Sequence, residues 1–206
     1  MPCPPFRSRL ATLVLSTLLL SALAGCTKTS PPQPSFPELT YGHLDPIRLD
    51  VARIEVTSTY TPTLRSPHVE HLMAEPPQQA ARRWARDRLQ AAAGAGRTTA
   101  TARFVIVTAA VIEVPLETNQ GLRGLFTTEQ GERYDAELAV RIEIYDGGGV
   151  PAAQVTAKAT HSRTVAEDAT LNEREAVWFE LVDSLMRDLN VALEQNIATY
   201  LSPYTL

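Results

Sequence analysis

A two-layer α+β sandwich is the fold this 206-residue sequence predicts: a mostly antiparallel sheet with two helices on one face, in the order β-α-β-β-β-α. Three observations predict it. Tyr134 to Tyr145 alternates apolar and charged residues at the period of a strand with one dry face. Arg103 to Val114 is an apolar run rich in β-branched residues and bounded by Pro115, a composition that favours a buried strand. From Trp178 to Tyr200 the apolar residues recur at helical spacing over many turns. Elements with one apolar face each are buried most simply by stacking helices on a sheet.

The first strand is predicted over Ile47 to Thr57. Ile47, Leu49 and Val51 share one parity and Ile54 and Val56 take the other, so a bulge is expected near Ala52 and Arg53. A loop with Pro62 and Pro67 follows, and Glu75-Pro76-Pro77 opens a helix running to about Ala93, since prolines are tolerated in a first turn. Ala81, Trp84, Ala85, Leu89 and Ala92 share one face of it, Arg82, Arg83 and Arg86 lie largely on the other, and Gly94-Ala-Gly96 ends it.

Arg103 to Val114 is placed at the sheet's centre. In Tyr134 to Tyr145, residues Tyr134, Ala136, Leu138, Val140, Ile142 and Ile144 point to the core, opposite Asp135, Glu137, Arg141 and Glu143. Asp146-Gly147-Gly148-Gly149 accepts positive φ and makes a tight hairpin into an edge strand, Gln154 to Arg163, with Val155, Ala157 and Ala159 inward. Asn172 with Glu175 fits the N-terminal cap of the last helix, and Leu171 can staple against Ala176.

Ahead of this domain, Arg7 and Arg9 precede Leu10 to Ala24, a run of about fifteen uncharged residues, too short for the roughly twenty that a spanning helix needs. It ends in Leu23-Ala24-Gly25-Cys26, small residues just before a cysteine. This resembles the lipobox of bacterial lipoproteins. The resemblance implies peptidase recognition of Leu23, Ala24 and Gly25, cleavage after Gly25, and lipid on Cys26. By the same resemblance, Thr27 rather than Asp after the cysteine implies sorting to the inner leaflet of the outer membrane. Three segments follow: a signal peptide at 1–25, an acylated cysteine with a proline-rich tether at 26–46 (Pro31, Pro32, Pro34, Pro37, Pro46), and one periplasmic domain at 47–206.

Composition narrows the chemistry. The only cysteines are Cys3, in the signal, and Cys26, so the domain has no disulfide and no thiol nucleophile. Of 19 basic residues Arg7 and Arg9 leave with the signal, and 17 against 23 acidic gives the remainder a net charge of −6, which argues against nucleic-acid binding and against polybasic membrane binding, so that lipid rather than the protein surface is expected to hold it to a membrane. No phosphate loop, dinucleotide fingerprint, serine elbow or zinc-protease motif occurs, so neither an enzyme nor a cofactor is expected.

His68-Val-Glu-His71 near Glu75 is the best metal candidate, but it lies in a proline-bracketed loop without a third close ligand, so no metal is assigned. His43 and His161 are isolated. Glu167, Asp168, Glu173 and Glu175 precede or open the last helix, where acidic residues oppose its dipole. The long connection from Pro115 to Arg133 places Leu122, Leu125 and Phe126 among glycines and is the candidate partner-binding loop, with folding back over the sheet's edge as the equal alternative.

Tyr134-Asp-Ala-Glu-Leu-Ala-Val-Arg-Ile-Glu-Ile-Tyr-Asp-Gly-Gly, followed by a strand and a long amphipathic helix, is similar to the C-terminal half of two groups of small Gram-negative lipoproteins. One is the LPS-assembly lipoprotein, and the other the auxiliary lipoprotein of Mce-type lipid-trafficking ABC transporters. The resemblance implies a non-enzymatic accessory of envelope assembly or lipid transport, held to the membrane through Cys26 and bound to an envelope protein partner. Direct carriage of a lipid or glycolipid ligand is the alternative, and a hydrolase with an unrecognised site around His68 and His71 a further one.

Overall fold

The computed structural model describes residues 36–93, 99–117 and 130–206. The class is α+β, with a main sheet of four strands in the order β2-β4-β5-β6: β2 (Arg53–Ser58), β4 (Thr101–Pro115), β5 (Gln130–Tyr145) and β6 (Ala153–Ala166). β2 runs parallel to β4, and the other pairs are antiparallel. A small second sheet pairs β1 (Ile47–Leu49) in parallel with β3 (Leu89–Ala91). The helices are α1 (Pro77–Arg88) and α2 (Leu171–Tyr200).

The predicted first strand is two. The change of parity near Ala52 and Arg53 is a break between sheets: β1 ends at the fully buried Leu49, Val51 is buried within the break, and β2 begins at Arg53. The first helix stops at Arg88, short of the expected Ala93, because Leu89–Ala91 pairs with β1 and a residue cannot serve both hydrogen-bond patterns. The C-terminus completes this small sheet, with Thr205 bridging Leu49 and the Leu206 amide donating to the Arg48 carbonyl.

β4 lies inside the sheet between β2 and β5, and β6 forms its edge, as the sequence indicates. The inward set of β5 is as expected, with Tyr134, Leu138, Val140, Ile142 and Ile144 fully buried under the helices, but the opposite face is not wet throughout: Ala139 and Glu143 are buried there, Glu143 beneath Arg141 and Tyr145, which both donate to it. A register shift between Ile106 and Thr108 moves β4 from Phe104 and Ile106 to Ala109 and Val111 while keeping its dry side dry. From α2, Trp178, Leu181, Val182, Leu185, Met186, Leu189, Leu193 and Ile197 close the core.

The cap of α2 is Thr170, two residues ahead of the expected Asn172. Its hydroxyl accepts from the Glu173 amide at 3.3 Å, and the Glu173 carboxylate accepts from the Thr170 amide at 2.8 Å. The two helices meet through polar groups. Trp84 Nε1 donates to Asn190 Oδ1 at 2.8 Å, and buried Arg88 reaches Glu194 and the Asp45 carbonyl. Arg83, read from its spacing as outward, is buried and donates to Glu75 Oε1 at 2.9 Å and to the Leu39 carbonyl at 3.3 Å. Of that trio Arg86 is exposed and Arg82 half-buried.

Residues 36–46, assigned to the tether, lie against the helices. Phe36 stacks on Phe179, the Tyr41 amide donates to Asp87, and the Tyr41 ring is buried. Two arginines on one helix thus hold the backbone of this segment, Arg83 at Leu39 and Arg88 at Asp45.

Candidate functional site

The two longest strands of the sheet, β4 and β5, run together to Pro115 and Glu132, and the Leu116 amide donates to the Gly131 carbonyl beyond them. The Pro115–Arg133 connection is therefore shorter than its sequence suggests, since Gln130–Arg133 belongs to β5. Leu122, Leu125 and Phe126 lie outside the described residues. The described residues at the end of β4 and the start of β5 form a platform.

Its base is tied to the start of α2. Tyr134 OH donates to Glu132 Oε2 at 2.5 Å, Arg174 reaches the same carboxylate at 3.2 Å, and the Trp178 ring meets Tyr134 edge-on at 5.5 Å. Burial, reinforced by the hydrogen bond to Glu132, holds the Tyr134 phenol well above its usual range, so it stays a neutral donor. At Gly131 the backbone of β5 comes so close to Glu167 that a Cβ there would stand 2.9 Å from the Glu167 Cα. Only glycine fits.

The other side of the platform is a strap that carries the histidine pair. Residues 67–69 add to the edge of β4 beyond the end of β2: His68 bridges Ile112, Val69 donates to the Val111 carbonyl, and Glu113 donates to the Pro67 carbonyl. Glu70, in a 3-10 turn, is 2% exposed. Its carboxylate accepts from Tyr60 OH at 2.6 Å and from the Val111 amide at 3.2 Å, with His68 Nδ1 at 3.6 Å. Burial and this hydrogen bond raise the Tyr60 phenol far above its ordinary value. Leu64 and Leu72 stand exposed on the same strap.

The histidine motif is thus divided. His68 is half-buried beside Glu70, His71 points to solvent, and Glu75 is committed to Arg83. Among the described residues no three His, Cys, Asp or Glu side chains gather as metal ligands. His161 pairs with Asp188 on α2 at 2.9 Å, and His43 is exposed. Glu167 and Asp168 lie in the turn before α2, Glu173 is the capping carboxylate, and Glu175 is one turn into the helix. Trp84 and Trp178 are core residues.

Glu70, Arg83 and Arg88 are buried charged groups whose burial the sequence does not announce. Each partner lies distant in sequence, Glu194 being 106 residues from Arg88, so no local pattern marks them. On the open face of the sheet, charges pair across strands. Arg53, Glu55, Arg103, Glu143 and Arg141 form a ladder, with the Arg103 guanidinium 4.8 Å from the centre of the Tyr145 ring.

Leu23, Ala24, Gly25 and Cys26 lie outside the described residues. Among those described, no helix is long and apolar enough to cross a membrane. No protein-family model matches the chain, and no curated protein matches it at a significant level.

Proposed function

We propose that this protein is a lipid-anchored, non-enzymatic accessory of the cell envelope, carried on Cys26 at the periplasmic side of the outer membrane and serving envelope assembly or lipid transport. The observation that carries the reading is the uncharged run Leu10 to Ala24 behind Arg7 and Arg9, ending in Leu23-Ala24-Gly25-Cys26. Each acyl chain adds about 0.8 kcal/mol per buried methylene, so two or three chains make a stable anchor.

The described platform supports a binding role at the end of the sheet. A long hairpin extends there, its base fixed by Glu132, Tyr134, Arg174 and Trp178, and its loop sequence offers Leu122, Leu125 and Phe126 to an envelope protein. A rigid base lowers the ordering cost of binding through a loop.

The test is in-cell crosslinking of wild type, Cys26→Ala, and the triple variant Leu122→Ser/Leu125→Ser/Phe126→Ser, followed by membrane fractionation. The anchor half expects Cys26→Ala to leave the membrane fraction. The binding half expects the triple variant to stay membrane-bound and lose its crosslinked partner. Unchanged partner capture by the triple variant removes the loop's role.

A further inference from the structure

From the geometry of α1 we infer that its outer face, through Arg82 and Arg86, is the surface the domain turns toward anionic phospholipid headgroups; this rests on the lipid-anchored reading above. Arg82 and Arg86 are one helical turn apart and line an open cleft of about 350 Å³ with Pro76, Gln78 and Gln79. No carboxylate lines it. Like charges at this spacing cost an isolated helix a few tenths of a kcal/mol. Neither guanidinium has an ion-pair partner among the described residues, although Arg83 and Arg88 on the same helix are both paired. Gln78 is fixed by bonds to Ser58 Oγ at 2.8 Å and the Tyr60 carbonyl at 3.4 Å, so one wall of the cleft is preorganised.

The route of the chain gives the occupant. The described domain begins at Phe36, and Glu38, Leu39 and Tyr41 run along the Arg83 and Asp87 row of α1, the row next to Arg82 and Arg86. Ten peptide steps separate Cys26 from Phe36, a reach of at most about 35 Å. A reach of that size lets the domain turn any of its faces, this one included, to the bilayer that holds Cys26.

Charge then selects the orientation. The chain after Gly25 is net −6, so an anionic surface repels most of the domain, and screening within about 10 Å leaves only the nearest patch to decide which side approaches. The open face of the sheet, with its arginines already matched to Glu55, Glu143 and Asp135, is turned away and left free.

The test couples the chain from residue 26 onward to a maleimide lipid in nanodiscs through Cys26, its one thiol, and reads amide relaxation from a lipid-borne gadolinium chelate. Coupling bypasses cellular acylation, which is measured separately by the mass of Cys26 from native membranes, so the two readings fail independently. In discs of phosphatidylcholine with a minority of phosphatidylglycerol, enhancement at Gln79, Arg82 and Arg86 is expected to exceed that at Thr156 and Lys158. Two guanidiniums near the surface bias the orientation about thirtyfold.

Arg82→Gln/Arg86→Gln is expected to abolish that excess, and Arg48→Gln/Arg65→Gln, which changes exposed arginines elsewhere, to keep it. Equal enhancement of both faces, persistence of the excess in the first variant, or persistence in pure phosphatidylcholine overturns the inference. So does saturable binding of millimolar inorganic phosphate at Arg82 and Arg86 with no preference between discs, which would make the cleft a free-anion site.

Discussion

Removing the Glu70 carboxylate is expected to destabilise the domain by about 3 kcal/mol. Glu70 is 2% exposed and is the acceptor for two donors, Tyr60 OH at 2.6 Å and the Val111 amide at 3.2 Å. In Glu70→Ala the Val111 amide is stranded inside, at roughly 2 kcal/mol. The half-buried Tyr60 hydroxyl can turn partly toward water, at about 1 kcal/mol. Glu70→Gln keeps an oxygen for the amide and removes a buried charge whose desolvation is itself costly, so it loses only about 1 kcal/mol. Urea unfolding followed by circular dichroism measures both, with the midpoint expected to fall and m to stay constant. A Tyr60→Phe/Glu70→Gln cycle is expected to show coupling of about 1 kcal/mol. Glu70→Ala within about 0.5 kcal/mol of wild type refutes the claim that this carboxylate fastens the strap to β4.

Gly131→Val drives a side chain into the Glu167 backbone and is expected to cost about 1–3 kcal/mol, with faster amide exchange confined to Gln130–Tyr134 and the end of β6. Arg83→Ala leaves buried Glu75 unpaired and is expected to cost about 3 kcal/mol, while raising exchange at Leu39 and Tyr41 before the rest of the domain opens. Leu64 holds φ 57°, so Leu64→Gly is expected to stabilise the fold by about 0.5–1 kcal/mol in the same urea assay. Tyr41, Tyr60 and Tyr134 have phenols raised chiefly by burial. A raised folded pKa gives stability that is whole below the unfolded value near 10 and is lost as pH climbs beyond it. Absorbance titration should therefore show these three ionising only with alkaline unfolding. Ionisation of all six together near pH 10 in the folded state would contradict this.

Local pattern carried much of the fold. The alternation of β5, the apolar run of β4 and the stripe of α2 each bury the residues that periodicity assigns inward, because each element has one face to cover. Boundaries failed where tertiary pairing competed with local preference. Leu89 continues the helical stripe of α1, yet its backbone is taken by β1, where its partner Ile47 lies 42 residues earlier. Thr170 with Glu173 and Asn172 with Glu175 both satisfy the same capping pattern, and the chain uses the earlier pair.

Buried charge was the least legible. Arg83 sits among arginines on a helix that looks solvated, and only the approach of Glu75 and Leu39 turns it inward. At the platform, the long Pro115–Arg133 connection marked where the sheet's end would matter. The Glu132, Arg174 and Tyr134 contacts that stiffen it join strand to helix 42 residues apart, beyond any local spacing.

The most direct test of the anchored reading is intact mass and fragmentation of the N-terminal peptide recovered from native membranes. The expected result is a chain beginning at Cys26 with a diacylglyceryl thioether and an acylated amino group, released as a smaller species by lipid hydrolysis. A soluble protein with a free Cys26 thiol, or one cut at another residue, would contradict the account.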